Sequence, residues 1–231
     1  MEKLREHMKK IMWFIAAIFI GGIFFWYGRV RTITDAVANI NNSKIKVGDY
    51  HKRVTQQLRR TREESEDELT DEHIMQIRRK ILSAMITEEV LYQESKRIGI
   101  IVTDEEVVNT IHNLPQFQQD SKFNFNLYAQ TLKYSMNSEP DDFELLIRRD
   151  ISNRKLERLV INSTKVTPAE LSLYYSTKYG DMTGFKDKNA EVMNEILQSK
   201  RTELYKNWMN TLQQNTKIKV NTELAGLTAK K

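Results

Sequence analysis

Apolar residues recur at helical spacing along most of the chain between residues 49 and 214. This pattern predicts a mainly α protein in which clear start and stop signals separate the helices. The second helix carries a broad apolar stripe, which predicts a central position in the body. The predicted helices cover about residues 49–64, 70–97, 103–112, 125–136, 139–160, 167–175 and 189–214.

Local signals mark several of these helix ends. Thr103 with Glu106, and Thr167 with Glu170, have the spacing of capping boxes, in which each side chain satisfies a backbone amide of the other residue. Gly99 follows the last periodic position of the second helix and precedes an apolar residue, which is the pattern of a Schellman motif. These signals predict where the second helix ends and where the third and sixth helices begin.

A small sheet is predicted beside the helices. The segment AVANINNSKIKV reads as a β-hairpin that turns at Asn41 and Asn42, because asparagine tolerates the left-handed backbone of a tight reversal. The segment KIKVN at residues 217–221 alternates like a strand, and we expect it to join the hairpin. Residues 222–231 are predicted to form a flexible tail.

The run from Ile11 to Tyr27 contains no charged residue. As a helix it would span about 26 Å, close to the ~30 Å hydrocarbon core of a bilayer. Trp13 and Trp26 lie near its two ends, where amphipathic rings prefer the membrane interface. We therefore predict a transmembrane anchor at residues 11–28. Basic residues in the preceding segment place residues 1–10 in the cytoplasm, although two arginines after the run weaken this bias.

Three alternatives to an anchor compete for the same residues. A cleaved signal peptide is the strongest of them, since Ala36 to Ala38 resembles a cleavage site, but this site lies far beyond the apolar run. A buried core helix is disfavoured because the rest of the chain is strongly amphipathic. An interfacial helix is disfavoured because the run has no polar face.

Composition narrows the classes of function. Charged residues make up 29% of the chain and the net charge is +5. The densest basic patch, at residues 58–69, changes at once from arginines to acids, so it indicates a solvated helix end and disfavours nucleic-acid binding. The chain has no cysteine, which excludes disulfides, zinc–thiolate sites and cysteine nucleophiles.

No catalytic or cofactor-binding motif is recognisable in the sequence. There is no glycine-rich phosphate loop, no nucleophile elbow and no HExxH zinc motif. The histidines do not pair with acids at ligand spacing and read as surface or boundary residues, so we expect no metal and no cofactor. They are His7, His51, His73 and His112.

The order of the elements resembles the N-terminal chaperone module of the SurA/PpiD family of bacterial envelope folding factors, with PrsA a more distant relative. An anchor and a hairpin come first. Residues 82–107 then contain the central helix, the glycine at which it ends and the acidic start of the next helix. The break at residues 113–126 is similar to the family's P-x-F-Q-x-x-G-K-F stretch, with Ser121 in place of glycine. Residues 167–175 resemble its T-x-x-E-L-x-x-Y-Y helix. The resemblance implies a helical chaperone domain at residues 36–221.

In proteins of this family, one or more parvulin prolyl-isomerase domains follow the Tyr-Tyr helix. Here only a polar link occupies residues 176–189. A parvulin domain needs on the order of a hundred residues of its own. The resemblance therefore implies a module that lacks the parvulin insertion near 176–189 and has no isomerase activity.

The resemblance also implies a function for exposed apolar side chains. We expect a membrane-tethered chaperone of the bacterial inner membrane, with its body in the periplasm, that binds unfolded or newly secreted polypeptides. The alternative is an accessory subunit that docks on a membrane complex such as a secretion translocon. The candidate client contacts are Leu114, Phe117, Phe123, Phe125, Tyr128 and Trp208. Core packing is the favoured interpretation of these side chains, since most large apolar residues are buried.

Overall fold

The computed structural model describes residues 36–64 and 69–228, and the described chain is mainly helical, as predicted. The helices are α1 (Val47–Glu64), α2 (Asp71–Arg97), α3 (Asp104–His112), α4 (Phe125–Gln130, continued by a π-helix at Thr131–Met136), α5 (Pro140–Asn162), α6 (Pro168–Tyr179) and α7 (Phe185–Gln214). The strands are β1 (Ala36–Ile40), β2 (Ser43–Lys46), β3 (Gln118–Gln119), β4 (Lys122–Phe123) and β5 (Ile218–Val220).

The predicted hairpin and its third strand are confirmed. The sheet has the order β2-β1-β5, and Asn41 at the hairpin turn has a φ of 52°. The amide of Asn41 donates to the oxygen of Lys217 at 2.8 Å, and the amide of Asn221 donates to the oxygen of Val37 at 2.9 Å. Strands β3 and β4 form a separate antiparallel pair within the segment that breaks the helical pattern.

The predicted caps are confirmed at atomic detail. The amide of Glu106 donates to the hydroxyl of Thr103 at 3.3 Å, and the amide of Thr103 donates back to the Glu106 carboxylate at 2.9 Å. At the end of α2, Gly99 has a φ of 82°, and the amide of Ile100 donates to the oxygen of Ser95 at 2.9 Å. This is the Schellman hydrogen bond, which ends α2.

The described residues divide into two compact units. The smaller unit contains residues 36–38, 44–64, 69–79 and 220–228, and the larger one contains residues 39–43 and 80–219. In the larger unit three apolar clusters are buried. One surrounds Phe117, a second lies between α6 and α7, and a third joins α2, α5 and α7 around Leu91, Leu156 and Met209.

The segment predicted to be a flexible tail contacts other residues of the smaller unit at Ala225 and Gly226. Ala225 is buried, and its main-chain oxygen accepts a hydrogen bond from the hydroxyl of Tyr50 at 2.9 Å. The guanidinium of Arg78 donates to the oxygen of Gly226 at 3.1 Å. These contacts lie within the smaller unit and order the segment, because they satisfy backbone carbonyls that a frayed end would leave to water.

The predicted transmembrane anchor at residues 11–28 lies outside the described residues. Among residues 36–64 and 69–228, no helix is both long enough and apolar enough to cross a membrane.

Candidate functional site

Five of the six candidate client contacts lie between residue 113 and the first turns of α4, and the structure places two of them in the core. Phe117 is fully buried and Tyr128 is 7% exposed. The Phe117 ring meets the edges of Tyr128 and Phe143 with centroids 5.0 and 5.5 Å apart. Phe117 and Tyr128 therefore contribute to the core in this structure, and their role in client binding stays a prediction.

The other members of this segment lie closer to solvent. Leu114 and Phe123 are half-buried and pack against the same cluster. Phe123 also stacks on the ring of His112, with centroids 4.2 Å apart. Phe125 is 69% exposed at the start of α4. Phe125 is therefore the member of this segment that is most accessible to a partner, and its role in client binding stays a prediction.

Trp208, the last candidate, lies at a groove of about 510 Å³ in the larger unit. The groove runs between the second half of α2 and the second half of α7, and the turn of the β1–β2 hairpin forms part of its wall. Its apolar lining comes from Val90, Trp208 and Leu212. Trp208 and Leu212 are half-buried because they also pack on the cluster formed by α2, α5 and α7.

The rest of the groove lining is polar and almost neutral. The amides and hydroxyls are those of Asn41, Gln93, Thr211, Asn215 and Thr216. Its two charged residues, Glu94 and Arg97, form a bidentate ion pair of 2.6 and 2.7 Å with each other. The hydrogen bond from Arg97, together with its charge, holds the pKa of the Glu94 carboxyl below its usual value despite partial burial. The groove therefore combines apolar side chains with hydrogen-bonding groups and little net charge.

A hydrogen-bond network fixes the hairpin turn at the groove. The amide of Gln93 donates to the oxygen of Ile40 at 3.0 Å and to the Glu89 carboxylate at 2.9 Å, and its oxygen accepts from Asn41. Glu89 is itself buried and forms an ion pair with Arg149 of α5. Burial alone would raise the pKa of Glu89, but hydrogen bonds from Gln93 and Ser43 and the charge of Arg149 lower it below its usual value.

The sequence pointed to Trp208 as a candidate client contact. It did not point to the residues of α2 and of the hairpin that complete the groove around Trp208. Glu89 and Gln93 are four residues apart, so they share one face of α2. This spacing was the available signal, but polar pairs at that spacing are common on solvated helices. Only the packing of the hairpin turn against α2 distinguishes this pair from a surface pair.

The link between α6 and α7 is shorter than predicted, because the helices extend to Tyr179 and from Phe185. Only residues 180–184 remain between them. The Tyr175 hydroxyl donates to the oxygen of Thr183 at 2.6 Å, and the Tyr175 ring meets the ring of Phe185 edge-on. Gly180 and Gly184 have φ values of 87° and 72°, which glycine adopts at little cost. The link is a packed turn between two antiparallel helices.

The described residues contain no group of three or more histidine or carboxylate side chains arranged to hold a metal ion. Several ion pairs of the larger unit join neighbouring helices. Lys155 of α5 binds Glu106 at the start of α3, and Lys200 of α7 binds Glu170 at the start of α6, each at 2.6 Å. These carboxylates already serve as helix caps, so their chemistry is accounted for by the fold.

Comparison with known proteins identifies relatives of this arrangement. Residues 1–157 match the protein family described as SurA-like N-terminal domain. The foldase protein PrsA of Clostridium perfringens is 24% identical over 144 residues, covering 60% of this chain and 41% of that protein. The chaperone SurA of Buchnera aphidicola is 26% identical over 180 residues, covering 71% of this chain and 40% of that protein. The periplasmic chaperone PpiD of Haemophilus influenzae is 27% identical over 168 residues, covering 71% of this chain and 27% of that protein.

A solved structure of a SurA-like chaperone from Campylobacter jejuni has the same fold, with a TM-score of 0.50 and 13% identity. The match covers 80% of this chain and 98% of that one. The resemblance predicted from the motifs is therefore confirmed. The chain spans about two fifths or less of the length of the curated relatives described above.

Proposed function

The chain belongs to the family of SurA-like N-terminal domains, and from this premise we propose that it is a chaperone that binds unfolded or newly secreted polypeptides. Its relatives are named as foldases and chaperones, among them a periplasmic chaperone. In this proposal the protein is tethered to the bacterial inner membrane by residues 11–28, with residues 1–10 in the cytoplasm and the domain at residues 36–221 in the periplasm.

The groove at Trp208 is the observation that carries the proposal. An unfolded polypeptide presents apolar side chains together with unpaired backbone amides and carbonyls. The groove offers the half-buried side chains of Trp208 and Leu212 to the apolar side chains, and amide and hydroxyl side chains to the backbone groups. Because its two charges neutralise each other, it does not select strongly for a charged segment. A single weak site suffices when tethering raises the local concentration of protein near emerging chains.

We further propose that this protein binds clients without prolyl-isomerase chemistry. The packed turn at residues 180–184 supports this part of the proposal, because it joins α6 directly to α7. In this family a parvulin domain is inserted after the helix that corresponds to α6, and such a domain needs on the order of a hundred residues. The ring of Tyr175 is also buried against Phe185 at this turn, so the connection between α6 and α7 is itself well packed.

The test is suppression of aggregation by the full chain. The chain is reconstituted in lipid nanodiscs and added at near-stoichiometric ratio to an unfolded envelope protein, with empty nanodiscs as the blank. We expect suppression of aggregation, and no acceleration of prolyl isomerisation in a parallel assay on the same preparation. Normal aggregation in the presence of a well-folded chain would refute the chaperone proposal and favour the accessory subunit of a membrane complex.

A matched pair of substitutions on α7 localises the activity. Thr211 and Thr202 are both exposed, and each hydroxyl donates to the carbonyl four residues earlier, at 3.0 and 2.8 Å. Only Thr211 lines the groove. Thr211→Trp fills the groove and should abolish most suppression, whereas Thr202→Trp should leave it intact. Equal effects of the two substitutions would place client binding elsewhere.

A further inference from the structure

The two charged residues that line the groove differ in how far they are exposed to water. The Glu94 side chain is 12% exposed, whereas the Arg97 side chain is 71% exposed. Both carboxylate oxygens of Glu94 accept hydrogen bonds from Arg97, Oε2 from Nε and Oε1 from Nη2. The pair therefore joins a mostly buried carboxylate in the wall of the groove to a guanidinium that lies largely in water.

Another buried carboxylate of α2, that of Glu89, is held in a different way. Glu89 forms an ion pair with Arg149 of α5 and accepts a hydrogen bond from Gln93, so its cation belongs to another helix. The cation of Glu94 comes from its own helix, three residues further along. Among the residues that line the groove, Arg97 is the only cation. A client in the groove can therefore reach the partner of Glu94 without disturbing the packing of α2 against α5.

The difference in exposure decides which member of the pair a client can replace. An ion pair at the surface of a helix contributes little, because water screens the charges and two long side chains lose freedom. If a cation of the client takes the place of Arg97, the guanidinium returns to water, which solvates it. If a carboxylate of the client draws Arg97 away instead, Glu94 is left as a mostly buried charge without a partner, which is costly. The groove therefore favours a cation over an anion.

The ends of two helices add to this preference. Helix α2 ends at Arg97 and α7 ends at Gln214, and residues from the last turns of both helices line the groove. The C-terminus of a helix carries a partial negative charge, which attracts cations near the last turn. Lys96 and Arg97 offset this charge in α2, whereas the last turn of α7 contains no basic residue. Lys217, which follows α7, is not among the residues that line the groove.

We propose that the groove prefers client segments that contain a lysine or an arginine, and that the cation of the client replaces Arg97 at the Glu94 carboxylate. The inference rests on the proposed function, because it names the class of client for the same groove. Trp208 and Leu212 contact the apolar side chains of the segment, and the ion pair of the empty groove is neutral, so uncharged segments bind as well. We expect a preference of about fivefold, the size of one ion pair at a partly exposed site.

Three fluorescent peptides test this preference with the full chain in nanodiscs. The peptides are short, unfolded and identical except at one central position, which is lysine, methionine or glutamate, and fluorescence anisotropy gives the Kd of each. We expect the lysine peptide to bind about fivefold more tightly than the methionine peptide, and the glutamate peptide to bind most weakly. The preference for lysine should shrink at about 1 M salt, where the Debye length is ~3 Å.

Substitutions of the two members of the pair should have opposite effects. Glu94→Gln removes the anion, so the lysine and methionine peptides should then bind equally well. Arg97→Gln removes the competing cation, so the lysine peptide should bind more tightly than it does to the unaltered chain. The matched control is Asp150→Asn, because Asp150 forms an ion pair with Arg154 of its own helix and does not line the groove. This control should leave all three affinities unchanged.

The possible failures separate the preference from the proposed function. Equal affinities for the three peptides, all of them lost in Thr211→Trp, would overturn the preference and leave the groove as the client site. An equal loss of affinity for the lysine peptide in Glu94→Gln and Arg97→Gln would also overturn the preference, because it would show that the ion pair only maintains the fold. If no peptide binds to a well-folded chain that also fails to suppress aggregation, the proposed function is refuted together with the preference.

Discussion

The side-chain amide of Asn41 donates to the side-chain oxygen of Gln93 at 2.7 Å, which ties the turn of the β1–β2 hairpin to α2. The Gln93 side chain also donates to the main-chain oxygen of Ile40. Gln93 therefore binds the turn at one side chain, that of Asn41, and at the backbone of Ile40. Both Asn41 and Gln93 line the groove. The shape of the proposed client site therefore depends on a contact between residues 52 positions apart in the chain.

Replacing Gln93 by leucine should loosen this wall of the groove. The substitution removes hydrogen bonds to Ile40, Asn41 and Glu89 and leaves part of the buried Glu89 carboxylate unsatisfied. We expect a loss of about 1–3 kcal/mol in the free energy of unfolding, measured by urea denaturation of the full chain in nanodiscs. Client affinity should fall several-fold. Gln198→Leu, on the exposed surface of α7, is the control, and equal stability of the two variants would contradict the assigned role of Gln93.

Phe117, between α3 and α4, and Phe125, at the start of α4, should respond to substitution in opposite ways. Phe117 is fully buried, so Phe117→Ala should cost about 3–5 kcal/mol of unfolding free energy. Phe125 is 69% exposed, so Phe125→Ala should change stability by no more than about 0.5 kcal/mol. Any loss of client affinity in Phe125→Ala at unchanged stability then reports a lost contact. Unchanged affinity would remove Phe125 from the client-binding set.

The capping box formed by Thr167 and Glu170 at the start of α6 should stay intact at acidic pH. A hydrogen bond from Lys200, followed by one from the backbone amide of Thr167, lowers the pKa of the Glu170 carboxyl to about 2. Because the pKa is lowered in the folded state, the stabilising contribution is present above the usual glutamate value near 4.5 and is lost as the pH falls through about 2. An NMR titration of the side-chain carboxyl should therefore show Glu170 still ionised at pH 3.

Lys200→Gln should raise the pKa of Glu170 toward its usual value, and Lys206→Gln, which removes a different exposed lysine of α7, should not. Titration of Glu170 near pH 4.5 in the unaltered chain would show that the contact between α7 and the α6 cap does not persist in solution.

Features that depend on neighbouring residues were predictable from the sequence. The capping boxes at Thr103 and Thr167 and the glycine stop at Gly99 are satisfied by atoms a few positions away. Such interactions are present in the sequence pattern itself, which explains why they were placed correctly.

The buried face of the long helices was harder to predict. On α5, Leu159 is 60% exposed, whereas Leu156, three positions earlier, is 2% exposed. On α7, Val192 packs against α6 and Met209 packs against α2 and α5. A helix of 30 residues that contacts different partners along its length has no single inward face. The groove was missed for the same reason, because its walls come from three separate parts of the chain.

The most direct test of the central claim is photo-cross-linking from the groove. A photoreactive phenylalanine analogue is placed at position 211, or at position 202 as the matched site on the same helix, and the full chain in nanodiscs is irradiated with an unfolded envelope protein. Binding in the groove predicts cross-links from position 211, few from position 202, and competition by excess unlabelled client. Equal cross-linking from both positions, or none from 211 while the protein still suppresses aggregation, would contradict the assignment of the groove as the client site.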